Sequence, residues 1–288
     1  MIAETAPAKV NLYLHIGPVR RDGLHDLASL FIFAEDGDVI RVEPANDISL
    51  AIEGPFADAL KNLPPEANLV FRAAQKLARK CGVETGAAIT LEKNLPVAAG
   101  VGGGSADAAA VLRALVKLWS LEIGEAALSR LGFSLGADVP ACLARAPVHV
   151  TGAGEILEKG PVLPALWICL VNPGVDMPTG PVFRAFDAGV PAPATPVCDP
   201  FRAVNYTQVK AAMARTRNDL EAFAIERAPV IRDAIDALAQ APGALAARMS
   251  GSGATCFALF PSREGAVRAA AALQARGWWA MASALHVR

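Results

Sequence analysis

The chain has 288 residues, with 27 Lys plus Arg against 28 Asp plus Glu and a formal net charge of -1. It is long enough to bury a sizeable core in one large domain or two ordinary ones, with length favouring two, and nothing in the overall charge points to a nucleic acid or an acidic membrane as the partner. Five cysteines, Cys81, Cys142, Cys169, Cys198 and Cys256, are scattered without Cys-x-x-Cys spacing. They read as reduced thiols of a cytoplasmic protein, not as a disulfide framework or a zinc site. The start, Met1-Ile2-Ala3-Glu4-Thr5, has no basic segment leading into a long apolar one, and the longest apolar run, Leu163 to Val171, is broken by Pro164. It is far shorter than the roughly 20 residues of a membrane span. A small molecule is the expected partner, with no nucleic acid and no membrane.

Along the chain, Val10, Leu12, Leu14 and Ile16 alternate with Lys9, Asn11, Tyr13 and His15, which predicts a strand with Lys9 and Asn11 on its polar face. Asp22-Gly23 and Asp36-Gly37 read as hairpin turns before and after a strand over Leu27 to Phe33. Val39 to Val42 and Ile48 to Ile52 continue the antiparallel pattern. Asn68 is placed to cap a helix running to about Lys80, with Gly82 as its stop. A strand over Ala87 to Leu91 follows, then helices near 105–119 and 125–132. Beyond about residue 155 the pattern predicts a strand at Leu166 to Val171, helices near 205–226 and 228–240, and then strand, strand, helix, strand. Between them, Asn172 to Pro200 holds Pro173, Pro178, Pro181, Pro191, Pro193, Pro196 and Pro200, too many for regular structure. It reads as a linker or a binding loop.

The most informative stretch is Leu95-Pro96-Val97-Ala98-Ala99-Gly100-Val101-Gly102-Gly103-Gly104-Ser105, which runs from a predicted strand into a predicted helix. Glycines let main-chain N–H groups approach an anion, and the dipole end of the following helix favours negative charge there. A P-loop requires Gly-Lys-Ser/Thr, and here Ser105 and Ala106 follow Gly104. A dinucleotide fingerprint fails too: the frame from Gly100 ends on Ser105 and the frame from Gly102 on Asp107. A plain interelement loop is the alternative. Ser250-Gly251-Ser252-Gly253-Ala254 is a second small-residue loop, which alone is equally a glycine-turn hairpin.

Three separated segments, Ala6-Pro7-Ala8-Lys9-Val10-Asn11, Leu95-Pro96 through Ser105, and Ser250 through Ala254, resemble in order and spacing the motifs of the galactokinase, homoserine kinase, mevalonate kinase and phosphomevalonate kinase (GHMP) superfamily. Arg21-Asp22-Gly23-Leu24-His25, Leu135-Gly136-Ala137-Asp138-Val139-Pro140 and Asn172-Pro173-Gly174 resemble its isoprenoid-pathway branch, which acts on a cytidine-diphosphate-linked sugar alcohol. The resemblance implies an α+β, two-domain fold: an ATP-binding domain over 1–155 (ribosomal-protein-S5-domain-2-like) and a ferredoxin-like, substrate-side domain over 156–288, with the active site in the cleft between them. It further implies ATP-dependent phosphorylation of the 2-hydroxyl of the cytidine-diphosphate-linked methylerythritol, with ATP and Mg²⁺ as cofactors.

The roles carried over are these. Asp138 is the base that takes the hydroxyl proton, and Lys9 the cation that orients Asp138 and stabilises charge at the reacting centre. Pro96, Val97, Ala98, Ala99, Gly100, Val101, Gly102, Gly103, Gly104 and Ser105 bind the nucleotide. Asn11, His25, Thr179 and Phe183 bind the substrate, His25 reading the cytosine edge and Phe183 stacking on the base. Plainer alternatives stand beside them: a helix N-cap for Asp138 and for Ser105, an exposed strand lysine for Lys9, a solvent-facing turn for His25, and a core-tucked loop ring for Phe183. The chain departs from the family pattern at Leu24, where an aromatic is common, and at Ala98, Ala99 and Ala106. Asp107 reads as a dipole-complementing residue of the first helical turn, and Asn218-Asp219 as the solvated face of a helix.

Overall fold

The computed structural model describes residues 1–189, 196–199 and 201–286. Pro191, Pro193 and Pro200 of the proline-rich stretch lie outside the described residues. The chain divides into two compact units, one made of Met1–Ala8, Asp36–Val97 and Gly102–Arg145, the other of Lys9–Glu35, Ala98–Val101 and the chain from Ala146 onward. Strands β1 (Ile2–Val19) and β2 (His25–Ala45) contribute residues to both.

In the first unit, β3 (Ile48–Glu53), α1 (Leu69–Cys81), β4 (Gly86–Glu92), α2 (Gly103–Leu118), α3 (Glu125–Phe133) and α4 (Val139–Ala144) follow in order. Helix α1 is the amphipathic helix that the spacing predicts. Asn68 accepts from the Val70 N–H, Gly82 closes the helix in the left-handed region at φ 65°, and Val70, Ala73, Ala74 and Leu77 are buried on one face. Two expectations fail here. Gly37 is no turn, because β2 runs straight through Asp36-Gly37. A Cβ on Gly37 would stand 2.0 Å from the Ala6 carbonyl oxygen, so the glycine is there for close backbone approach. Strand β3 is not part of an antiparallel meander either: it pairs parallel to β4, Ile48 opposite Ala87, after a crossover through α1, while β2 pairs antiparallel to β4.

In the second unit, β5 (Val148–Thr151) and β6 (Ile156–Lys159) are followed by β7 (Trp167–Asn172), α5 (Thr179–Gly189), α6 (Tyr206–Arg215), α7 (Glu221–Arg227), α8 (Val230–Ala239), β8 (Ala246–Met249), β9 (Cys256–Phe260), α9 (Arg263–Gln274) and β10 (Trp279–His286). Antiparallel pairing gives the order β10, β7, β9, β8. The helices cover the sheet with Val182, Phe186, Leu220, Ile231, Leu238 and Leu273, packed against Cys169, Val171, Cys256 and Phe260. Helix α5 corrects the reading of Asn172 to Pro200 as irregular throughout. Pro181 sits in its first turn, where the missing N–H costs no helical bond, and Val182 and Phe186 bury one face. The single helix expected near 205–226 is two, broken where Thr216 closes α6 and Asn218 begins the turn into α7. No helix among the described residues is long and apolar enough to cross a membrane.

Candidate active site

In the second unit three motif segments meet. The Lys9 N–H donates to the Val101 carbonyl at 2.9 Å, the Ser250 hydroxyl to the Gly100 carbonyl at 3.0 Å, and the Thr255 N–H to the Ala99 carbonyl at 3.2 Å. The acceptors of three consecutive loop residues are thus turned into the protein, the orientation an anion-binding loop needs. The Asn11 N–H donates to Ser250 Oγ at 3.2 Å. Gly100 lies at φ 74° with its would-be Cβ 2.5 Å from the Ser250 carbonyl oxygen, and Gly251 at φ 56° would place one 3.2 Å from the Gly100 oxygen and 3.4 Å from Asn11 Oδ1. A side chain at Gly100 would collide with backbone, and one at Gly251 would be strained and tightly packed. Ala98, at φ 53°, takes the same left-handed conformation with a side chain.

Lys9 is no exposed strand lysine. It is 5 % exposed and Asn11 3 %. The Lys9 ammonium donates to Asn11 Oδ1 at 3.0 Å and lies 4.1 Å above the Phe31 ring, and Asn11 Nδ2 donates to Ser29 Oγ at 2.9 Å. Strand alternation puts Lys9, Asn11, Tyr13 and His15 on one face as expected, and that face is buried. A buried ammonium costs several kcal/mol in lost hydration unless polar partners replace the water, so holding Lys9 here requires a polar pocket.

Helix α5 presents Thr179, Phe183 and Asp187 at successive i, i+4 positions. Thr179 Oγ1 is 2.9 Å from Ser252 Oγ, and the Phe183 ring centroid is 5.2 Å from that of His25 at 38°. The His25 side chain is 9 % exposed, with Nδ1 3.0 Å from the Gly17 carbonyl and Nε2 3.1 Å from Asp187 Oδ1, which overturns the solvent-facing turn reading. Asp22-Gly23 does turn the chain ahead of it, Gly23 at φ 81° and the Leu24 N–H on Asp22 Oδ1 at 3.0 Å. Leu24 stays 54 % exposed.

In the first unit, Pro96 is buried before Val97 leads into the turn, and Gly102 to Ser105 return as the N-terminus of α2, where Gly102 at φ 63° is the cap. Ser105 is therefore the third helical residue and not the cap. A Cβ on Gly136 would lie 3.8 Å from Ser105 Oγ, so the Leu135-to-Asp138 segment packs beside the start of α2. Asp138 holds the N-cap position of the six-residue α4, yet its side chain makes no capping bond. Among the described residues no group of three or more His, Cys, Asp or Glu side chains could cage a metal.

Three residues escaped the sequence reading. Asn218 is buried in the break between α6 and α7, donating through Nδ2 to the carbonyls of Met249 at 2.9 Å and Gly251 at 2.8 Å; it clamps the late glycine loop and is not on a solvated face. Asp219 accepts the Ile16 N–H at 2.8 Å. The Arg248 guanidinium, lowered to about 10 by burial, donates to the carbonyls of Leu12 and Met213 at 2.7 Å each and of Thr216 at 2.5 Å. An Asn three residues before an acidic helix start was the available cue for Asn218.

Residues 68–145 match the GHMP kinases N terminal domain and residues 202–277 the GHMP kinases C terminal model. Proteins named 4-diphosphocytidyl-2-C-methyl-D-erythritol kinase from Paramagnetospirillum magneticum and Cereibacter sphaeroides are 47 % and 50 % identical, each over 95 % of both chains. A solved 4-(cytidine 5'-diphospho)-2C-methyl-D-erythritol kinase superposes with TM-score 0.78 at 34 % identity over 99 % of both chains. Homoserine kinase from Cytophaga hutchinsonii, at 21 % identity and TM-score 0.72 over 99 % of this chain and 94 % of its own, shares the fold. The chain belongs to the GHMP kinase family, in its 4-diphosphocytidyl-2-C-methyl-D-erythritol kinase branch.

Proposed function

We propose that the chain transfers the terminal phosphoryl group of ATP to the 2-hydroxyl of 4-diphosphocytidyl-2-C-methyl-D-erythritol, a step of the non-mevalonate route to isoprenoid precursors. The observation that carries this is the identity of 47 % and 50 % to kinases of that name along 95 % of the chain. Residues 1–155 act as the ATP-binding half and 156–288 as the substrate side, in the cytoplasm.

Phosphoryl transfer leaves little covalent work to the protein; positioning and charge stabilisation do most of it. Residues Pro96 to Ser105 receive the nucleotide phosphates through main-chain N–H groups and the start of α2, which supply the positive potential that a P-loop lysine would give. Asp138 takes the proton of the substrate hydroxyl as its oxygen bonds to phosphorus. Lys9, fixed by Asn11, orients that carboxylate and stabilises the transferring charge. Bound Mg²⁺ would neutralise the phosphates, with the Ser105 hydroxyl as the candidate protein oxygen to contact phosphate or ion. His25 reads the cytosine edge, Phe183 stacks on the base, and Thr179 contacts the substrate.

The test is phosphoryl transfer from ATP to the cytidyl substrate, homoserine and mevalonate in parallel. Turnover confined to the cytidyl substrate is expected; robust activity only with a substrate lacking cytidine would overturn the assignment.

A further inference from the structure

Beneath the start of α2, within the first unit, lies a buried ion cluster that the mechanism above does not use. The Lys93 ammonium donates to Asp38 Oδ2 and, at 2.8 Å, to Asp107 Oδ2; the three side chains are 3 %, 0 % and 3 % exposed. Asp107 therefore does not complement the dipole of the first helical turn at the surface, as its position predicts. Its Oδ1 has no hydrogen-bond partner among the described residues.

Each member grips a different part of the nucleotide loop's frame. Asp38 Oδ1 accepts the N–H groups of Asn94 at 2.6 Å and Leu95 at 2.8 Å, the residues that enter the loop. Asp107 belongs to the helix that leaves it. Lys93 joins the two carboxylates and also touches the helix start, since a Cβ on Gly103 would stand 3.0 Å from its Nζ and 3.7 Å from Asp38 Oδ2. Burial pushes the Asp107 carboxyl up from 3.8 to about 8, with Lys93 pulling it down and Asp38 pushing it up. Burial also draws the Lys93 ammonium down, but Asp107 and Asp38 more than offset it and leave it raised.

We propose that Lys93 is a positioning residue for the nucleotide: by joining Asp38 to Asp107 it fixes the separation of the two ends of the glycine loop, and so the geometry of the phosphate cradle. This rests on the reading that the nucleotide phosphates lie at that loop. Asp38, Lys93 and Asp107 touch neither phosphate nor acceptor; they act through the backbone of 94–95 and of 103–107.

The experiment measures ATP affinity by calorimetry, KM for ATP and for the cytidyl substrate, kcat at saturating ATP, and melting temperature, in the full chain. Lys93→Met is expected to weaken ATP binding by about tenfold to about 100-fold, as a displaced supporting group does, with KM for the cytidyl substrate little changed. Should Lys93→Met fail to fold, Asp38→Asn, which keeps an acceptor for the 94–95 amides, is expected to raise KM for ATP in the same direction. Asp107→Ala is expected to weaken ATP binding, and Asp107→Asn, which keeps an acceptor for the ammonium, to recover most of it. Gly100→Ala, a lesion in the loop itself, serves as control. If Gly100→Ala abolishes ATP binding while folded Lys93→Met or Asp38→Asn leaves it unchanged, or lowers only the melting temperature, the positioning role is overturned and the nucleotide reading stands. If Gly100→Ala binds ATP as tightly as the parent, the nucleotide reading fails and the role of Lys93 with it.

Discussion

The ammonium of Lys9 donates to Oδ1 of Asn11 at 3.0 Å, two residues along the same face of β1, and Asn11 in turn donates to Ser29 at 2.9 Å. Both ends of the Asn11 amide are thus engaged by the protein, which gives it a task besides touching substrate: holding the Lys9 cation in place. Asn11→Ala should lower kcat by about tenfold to about 100-fold, the scale of a misplaced catalytic group, with circular dichroism unchanged. A variant with full kcat would show that Lys9 needs no such guide.

Ala98 stands at φ 53° in the glycine loop. A Cβ in the left-handed region costs roughly 1–2 kcal/mol, offset in part by the smaller conformational freedom of Ala in the unfolded chain. Ala98→Gly is therefore expected to stabilise the protein by about 0.5–1 kcal/mol in urea unfolding. A loss of stability would mean that the Ala98 methyl makes contacts worth more than its strain.

Leu24 is exposed beside His25, whose ring meets Phe183 at 5.2 Å between centroids. If Phe183 covers one face of the cytosine, an aromatic at 24 would cover the other. Leu24→Tyr is predicted to lower KM for the cytidyl substrate severalfold, in line with about 0.5–1.5 kcal/mol for an aromatic pair, and to leave KM for ATP unchanged. An unchanged cytidyl KM would place residue 24 away from the base.

Much of the chain was legible from pattern. The Asn68 cap, the Gly82 stop and the apolar stripe of α1 are local features, and the loop motifs carry their own spacing. What escaped was non-local. Gly37 reads as a turn until Ala6 is known to lie against it. The parallel pairing of β3 depends on a crossover that no short window contains. The clamp from Asn218 to Met249 and Gly251 spans 31 and 33 residues, and the cluster of Lys93 with Asp38 and Asp107 spans 55 and 14. Buried charges look like surface charges in a sequence, because what distinguishes them is a partner brought in by the fold.

The Asp107 carboxyl gives that cluster a pH signature. Its raised value, about 8 against 3.8 unperturbed, means the folded chain holds a proton that the unfolded chain has already lost between those limits. Its contribution to stability is complete below about pH 4 and is lost as pH rises through about 8. Urea unfolding of wild type and Asp107→Asn should therefore show the variant gaining on the wild type from about pH 6 to about pH 8. A constant difference across that window would show that Asp107 is ionised throughout.

The central assignment, Asp138 as the base for the substrate hydroxyl, is tested most directly by turnover of Asp138→Asn with ATP and the cytidyl substrate, alongside circular dichroism. A loss of roughly 10²- to 10⁴-fold in kcat with folding retained is predicted. Wild-type turnover in a folded Asp138→Asn protein would contradict it.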